Sequence, residues 1–256
     1  MNLVSRLLVV AAAVLCLCGV TYADLDGTAD SGTFDNQYNG NDIWDGSAFQ
    51  NEWAQAGGHT AAALSLSGSD LIFSPDANNG WVQHDTGATP WESSSGKWTL
   101  EVSLKFNDTD GGINDGITLW AERDGNRGVL WVQGDSVSDL GGNEIAGGMD
   151  NTDGFHTYRV AFDPTDDTAS AGGTHHVWRD NVLLSGAGVD INLAGGTASR
   201  LIIGDCCTGI GNPVDQYEIG FVRYQADMAL AAVPEPNSLI LVGLGIVGLL
   251  GIRRRR

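Results

Sequence analysis

Apolar side chains in this chain recur mostly at every second position, the spacing that gathers them on one face of a β-strand. Residues 97–106 show the pattern best. Trp98, Leu100, Val102, Leu104 and Phe106 point one way and Thr99, Glu101, Ser103 and Lys105 the other, so one face is expected in the core and the other in water. Residues 117–123 and 128–133 flank Asp124-Gly125-Asn126, whose Gly and Asn tolerate the positive φ of a hairpin turn. Residues 155–163 alternate His156, Tyr158, Val160 and Phe162 against Thr157, Arg159 and Ala161, then stop at Asp163-Pro164. A second hairpin is expected from residues 175–179 and 182–185 around Asp180-Asn181, with further strands at 200–204 and 217–224. Shorter candidates lie at 64–66, 71–74 and 81–84. About ten short strands with no convincing helix predict an all-β fold, a jelly-roll β-sandwich of two antiparallel sheets.

The two ends break this pattern. Arg6 precedes an apolar run over residues 7–20 that closes on Thr21-Tyr22-Ala23, the form of an export signal. Residues 1–23 are expected to be a signal peptide, removed by signal peptidase after Ala23. A lipoprotein anchor would need a small residue before its cysteine, and Cys16 and Cys18 each follow Leu. At the other end Val233, Pro234, Glu235 and Pro236 are followed by an apolar segment, 238–252, and then by Arg253, Arg254, Arg255 and Arg256. At about 1.5 Å per residue the apolar segment spans roughly 22 Å, short of a ~30 Å hydrocarbon layer. The arginines are expected to stop in the cytoplasm, holding the rest of the chain outside.

This tail resembles the PEP-CTERM sorting signal of bacterial proteins, in which a Pro-Glu-Pro motif, a short membrane helix and a basic end are recognised by the transpeptidase exosortase. The resemblance implies processing near Pro234-Glu235-Pro236 and transfer to the cell envelope surface or the extracellular matrix after transient anchoring in the inner membrane. The expected organisation is a signal peptide (1–23), a β-sandwich (24–227), a linker (228–232) and the sorting signal (233–256).

Charge narrows the partners. Between Asp24 and Glu235 eight basic side chains face all 32 acidic ones, a balance of −24 that repels nucleic acid. The two cysteines beyond the signal, Cys206 and Cys207, are adjacent, so they can close a vicinal ring but cannot staple distant segments.

Asp153-Gly154-Phe155-His156-Thr157-Tyr158-Arg159-Val160, the stretch from His176 through Trp178-Arg179-Asp180-Asn181 to Leu184, and Leu201-Ile202-Ile203-Gly204-Asp205 resemble consecutive strands of concanavalin A-like, laminin-G-like jelly rolls. That resemblance covers the second half of the domain and implies a fold that also hosts glycoside hydrolases. Such enzymes need paired carboxylates, yet Glu122-Arg123-Asp124 lacks the second Glu of their motif, and Glu101 has no carboxylate partner on its face. Carbohydrate binding is the better match. Eight tryptophans follow the signal, and an indole can lie on the apolar face of a sugar. Trp81 and Trp91, in turn-rich sequence, are the candidate glycan contacts, whereas Trp98, Trp131 and Trp178 lie in strands and are expected in the core. Calcium is the ion that acidic loops suit, with Asp108 and Asp110 in Asn107-Asp108-Thr109-Asp110-Gly111-Gly112 as candidate ligands and Asp163, Asp166 and Asp167 as a second cluster. The expectation is a non-catalytic glycan-binding or structural domain, with an extracellular glycan-active enzyme as the alternative.

Overall fold

The computed structural model describes residues 25, 27–29, 34–57, 64–73, 80–85, 95–107, 116–123, 126–186, 188–191, 199–204 and 216–232. They form seventeen strands and one helical turn: β1 (Gly27–Ala29), β2 (Asn36–Asn39), α1 (Gly40–Ile43), β3 (Trp53–Gly57), β4 (Leu64–Ser67), β5 (Asp70–Phe73), β6 (Gly80–Asp85), β7 (Trp98–Asn107), β8 (Gly116–Arg123) and β9 (Asn126–Gln133). The chain continues through β10 (Ser136–Asp139), β11 (Glu144–Gly147), β12 (Phe155–Asp163), β13 (Thr174–Arg179), β14 (Val182–Leu183), β15 (Arg200–Gly204), β16 (Gln216–Ala226) and β17 (Leu230–Ala232).

Two antiparallel sheets carry the fold. A seven-stranded sheet runs β11-β10-β9-β8-β15-β6-β3, and an eight-stranded sheet runs β14-β13-β12-β7-β16-β5-β4, with β2 also pairing β16. Their facing sides enclose one apolar core that includes Leu100, Val102 and Leu104 of β7, Tyr158, Val160 and Phe162 of β12, and Leu119, Leu130, Leu201 and Ile203 of the opposite sheet. Burial of alternate side chains from two stacked sheets is what the period-two pattern demanded. Both expected hairpins are present, β8–β9 and β13–β14. Asp180 and Asn181 supply φ values of 49° and 64° for the second turn.

His175 of β13 is fully buried in this core, 4.5 Å from the ring of Phe162 and 5.7 Å from that of Trp98. A Cβ on Gly128 would stand 2.8 Å from its Nε2, so glycine is required there for the sheets to close over the ring. Burial first, and the neighbouring His176 second, push the His175 imidazole down to about 3.

Two expectations are corrected here. The second face of β7 is not wet: Thr99, Glu101 and Ser103 are buried. Nor are residues 228–232 a loose linker, because Ala229, Leu230 and Ala231 are buried and β17 pairs in parallel with β1. These two terminal strands cover the outward side of the eight-stranded sheet. There Trp178, expected in the central core, forms a separate cluster with Ala161, Ala229 and Ala231, against which Leu25 packs. Thr99 Oγ1 donates to Met228 O at 2.9 Å and accepts from Leu230 N at 2.8 Å, tying the last strand down.

Candidate functional site

On the seven-stranded sheet, the positions that alternate with the core residues form transverse rows, because paired strands lie about 4.8 Å apart and same-face residues repeat every two positions. One row reads Ser138, Trp131, Thr118, Gly204 and Trp81 across β10, β9, β8, β15 and β6. The next reads Val129, Trp120, Ile202, Gln83 and Ala54. A third reads Arg127, Glu122, Arg200 and Asp85.

Trp81 and Trp131 are part-buried, and neither indole N–H has a hydrogen-bond partner among the described residues. Between them Thr118 is fully buried with its hydroxyl also unpartnered. Gly204, at φ 134°, is itself buried and contributes no side chain between Thr118 and Trp81. Three strand spacings put the two indoles about 14 Å apart. Buried polar groups normally find partners, and these three atoms, like Trp53 Nε1 in the core, have none among the described residues.

Trp120 is held differently. Arg127 Cζ lies 4.7 Å and Arg200 Cζ 5.3 Å from its ring centroid, from the strands on its two sides. Its Nε1 donates to Glu122 Oε2 at 3.2 Å, and Arg200 Nε donates to the same oxygen at 2.9 Å. Trp120 is therefore a fixed wedge that orients the guanidinium of Arg200.

Of the residues singled out from sequence, Trp81 stands on this face. Trp91, Asp108, Asp110, Val233, Pro234, Glu235, Pro236 and the arginines Arg253, Arg254, Arg255 and Arg256 lie outside the described residues, as does the pair Cys206-Cys207. Trp98 is in the core as expected, but Trp131 is not, since Leu130 and Val132 face inward on either side of it. Its parity with Arg127 and Gln133 was the signal for the outward face. Trp120 and Thr118 were not singled out from sequence, and Glu122 was weighed only as a hydrolase carboxylate, although all three share the outward parity of β8.

The second acidic cluster does not converge on a common point. Asp163 pairs with Lys97 at 2.7 Å and accepts from Thr165, while Asp166 accepts from Thr168 and meets His176 Nε2 at 3.2 Å. Burial opposes ionisation of Asp163, but the Lys97 ammonium and the Thr165 donors outweigh it and hold the carboxyl below its ordinary value. Among the described residues no group of three His, Cys, Asp or Glu side chains could hold a metal ion. Glu101, expected to lack a carboxylate partner, accepts from Arg159 Nε at 2.6 Å and from Arg223 Nε at 2.7 Å.

Residues 232–256 match the PEP-CTERM protein-sorting motif, which marks the chain for export and surface sorting. No curated protein matches the chain. Among solved structures, the exoplasmic/lumenal domain of VIP36 in its Ca2+/mannose-bound form is 17% identical, with 77% of this chain and 92% of that one covered and a TM-score of 0.46. The carbohydrate esterase vb_24B_21 from Shiga toxin-encoding bacteriophage phi24B is 12% identical over 76% and 99% of the two chains, with a TM-score of 0.47. The carbohydrate recognition domain of Emp47p is 14% identical over 80% and 100%, with a TM-score of 0.44. The chain thus joins a β-sandwich of two antiparallel sheets to a PEP-CTERM sorting motif.

Proposed function

We propose that the sandwich is a non-catalytic glycan-binding module delivered to the cell surface or matrix by its C-terminal motif. The observation that carries this reading is the row Trp131–Thr118–Gly204–Trp81, where two indoles and a hydroxyl with unpartnered polar atoms lie across an outward sheet face. Indoles stack on the apolar faces of sugar rings, and the part-buried rings of Trp81 and Trp131 are the surfaces this row offers. The same reading keeps Trp91 as a glycan contact and Asp108 and Asp110 as calcium ligands. In the same reading signal peptidase cuts after Ala23, the segment 238–252 holds the chain in the inner membrane, and exosortase then processes the motif at Pro234-Glu235-Pro236. The folded body, residues 24–232, is what is delivered.

Glu122, the carboxylate that meets Trp120, already accepts from both Arg200 and Trp120, which speaks for binding rather than hydrolysis. The test is a pull-down of the full-length chain, in detergent, with insoluble polysaccharides, with and without calcium. Binding should fall about tenfold or more in Trp81→Ala and in Trp131→Ala at unchanged unfolding midpoints. Binding that survives both substitutions removes this face from consideration. Release of reducing ends in the same tubes overturns the non-catalytic reading.

A further inference from the structure

Eight basic side chains lie between Asp24 and Glu235, and their distribution is uneven. Lys97, Lys105, Arg159, Arg179 and Arg223 belong to the eight-stranded sheet or its margin, each beside a carboxylate: Asp163 at 2.7 Å, Glu218 at 2.6 Å, Glu101 for both Arg159 and Arg223, and Asp180 at 3.8 Å. Arg127 and Arg200 instead flank Glu122 in one row of the seven-stranded sheet, on the face that carries Trp81, Trp120 and Trp131.

Arg200 is the most telling of these. Its Nε edge is spent on Glu122, and its plane lies by Trp120, which fixes the side chain. Its two Nη groups have no partner among the described residues, and the side chain is 30% exposed. A fixed guanidinium presenting two parallel N–H donors matches the two oxygens of a carboxylate, a geometry that an ammonium cannot reproduce. Four residues of β15 separate Arg200 from Gly204, so this fork stands about 13 Å along the strand from the Trp131–Trp81 row.

Resting on the glycan-binding reading, we infer that the ligand is an anionic sugar chain, with the Nη pair of Arg200 receiving a sugar carboxylate or sulfate and the tryptophan row receiving a further ring of the same chain. The −24 balance makes this selective, because the general field repels polyanions and only a local, oriented cation can hold one. A neutral polysaccharide would have no use for Arg200.

The full-length chain, in detergent, is to be assayed by interferometry on immobilised polygalacturonate, dextran sulfate and dextran, without calcium. A charged acid ligand should bind about tenfold or more tighter than dextran, and Arg200→Gln should erase that advantage. Polygalacturonate above dextran sulfate assigns the carboxylate, and the reverse order assigns the sulfate. Arg200→Lys, which keeps charge but not the fork, should lose at least about threefold at an unchanged unfolding midpoint, so the inference stays testable even where the glutamine variant folds poorly. Dextran binding as tightly as the acidic chains, or Arg200→Gln and Arg200→Lys binding polygalacturonate as the parent does, overturns the anionic inference and leaves the glycan reading standing. No binding to any of the three overturns both.

Discussion

Each outward face of the sandwich carries a transverse row of Arg, Glu and Arg, and the two rows have different fates. On the eight-stranded sheet the row is Arg159, Glu101 and Arg223, across β12, β7 and β16. There Glu101 is 1% exposed and Arg159 2% exposed, Phe34 lies 5.5 Å and 4.7 Å from the two guanidiniums, and Arg159 Nη1 donates to Ala231 O of the last strand. On the seven-stranded sheet the row is Arg127, Glu122 and Arg200, and the Nη groups of Arg200 have no partner among the described residues. The first row is sealed beneath the two ends of the domain, so that its donors are consumed by the chain itself. The second is braced by a tryptophan and still has donors to offer. The same local chemistry becomes a fastening where the termini cover it, and where they do not it is the surface proposed to bind.

The largest effect should come from the interior that both faces share. His175 is held neutral, with its folded value near 3 against about 6.5 unfolded, so below pH 6.5 the unfolded chain binds the proton first. The stability this group contributes is complete above that pH and falls by about 1.4 kcal/mol per unit as the pH drops towards 3, to a loss of roughly 5 kcal/mol. Urea denaturation across that range should show the slope, and His175→Leu should flatten it. A parent whose acid limb matches that of the variant would move the weak point from the core to the faces.

Next in size is the sealed row. Glu101→Gln leaves two guanidiniums without their shared counter-charge under the terminal strands, at an expected cost of about 3–5 kcal/mol in urea denaturation. Thr99→Val should cost about 1–3 kcal/mol, because both Met228 O and Leu230 N lose their partner in a buried site. It should also raise proteolysis near residue 230 before the core opens. If both variants melt with the parent, β17 is not the fastening that its burial implies.

What could be read in advance follows the range of the forces involved. Strands β7, β12 and β15 and both hairpins were legible, since alternation and turn residues are local properties. β1 and β17, three residues each and rich in Gly and Ala, carry no alternation, and β10 and β11 are largely polar. The second face of β7 was misread as wet because Glu101 is satisfied by residues 58 and 122 positions away, which nothing near it announces. Of the candidate site, Trp81 was found through its polar neighbourhood. Trp131 was assigned to the core although its parity with Arg127 and Gln133 pointed outward, an error of attending to the residue type before the strand period.

The smallest effect is the one that tests the comparison most directly. Glu122 is as buried as Glu101, at 1% exposure, so burial of the carboxylate alone would predict equal costs for the two Glu→Gln variants. The rows differ in where the stranded cations end up. After Glu122→Gln the guanidinium of Arg200 can turn to water, and the amide can still accept from Trp120 Nε1, so the expected loss is about 1 kcal/mol rather than 3–5. Denaturation of the two variants side by side therefore measures how open the second row is. A Glu122→Gln cost equal to that of Glu101→Gln would mean that Arg200 is as confined as Arg159, and the face proposed to meet an anionic sugar would have no cation to give it.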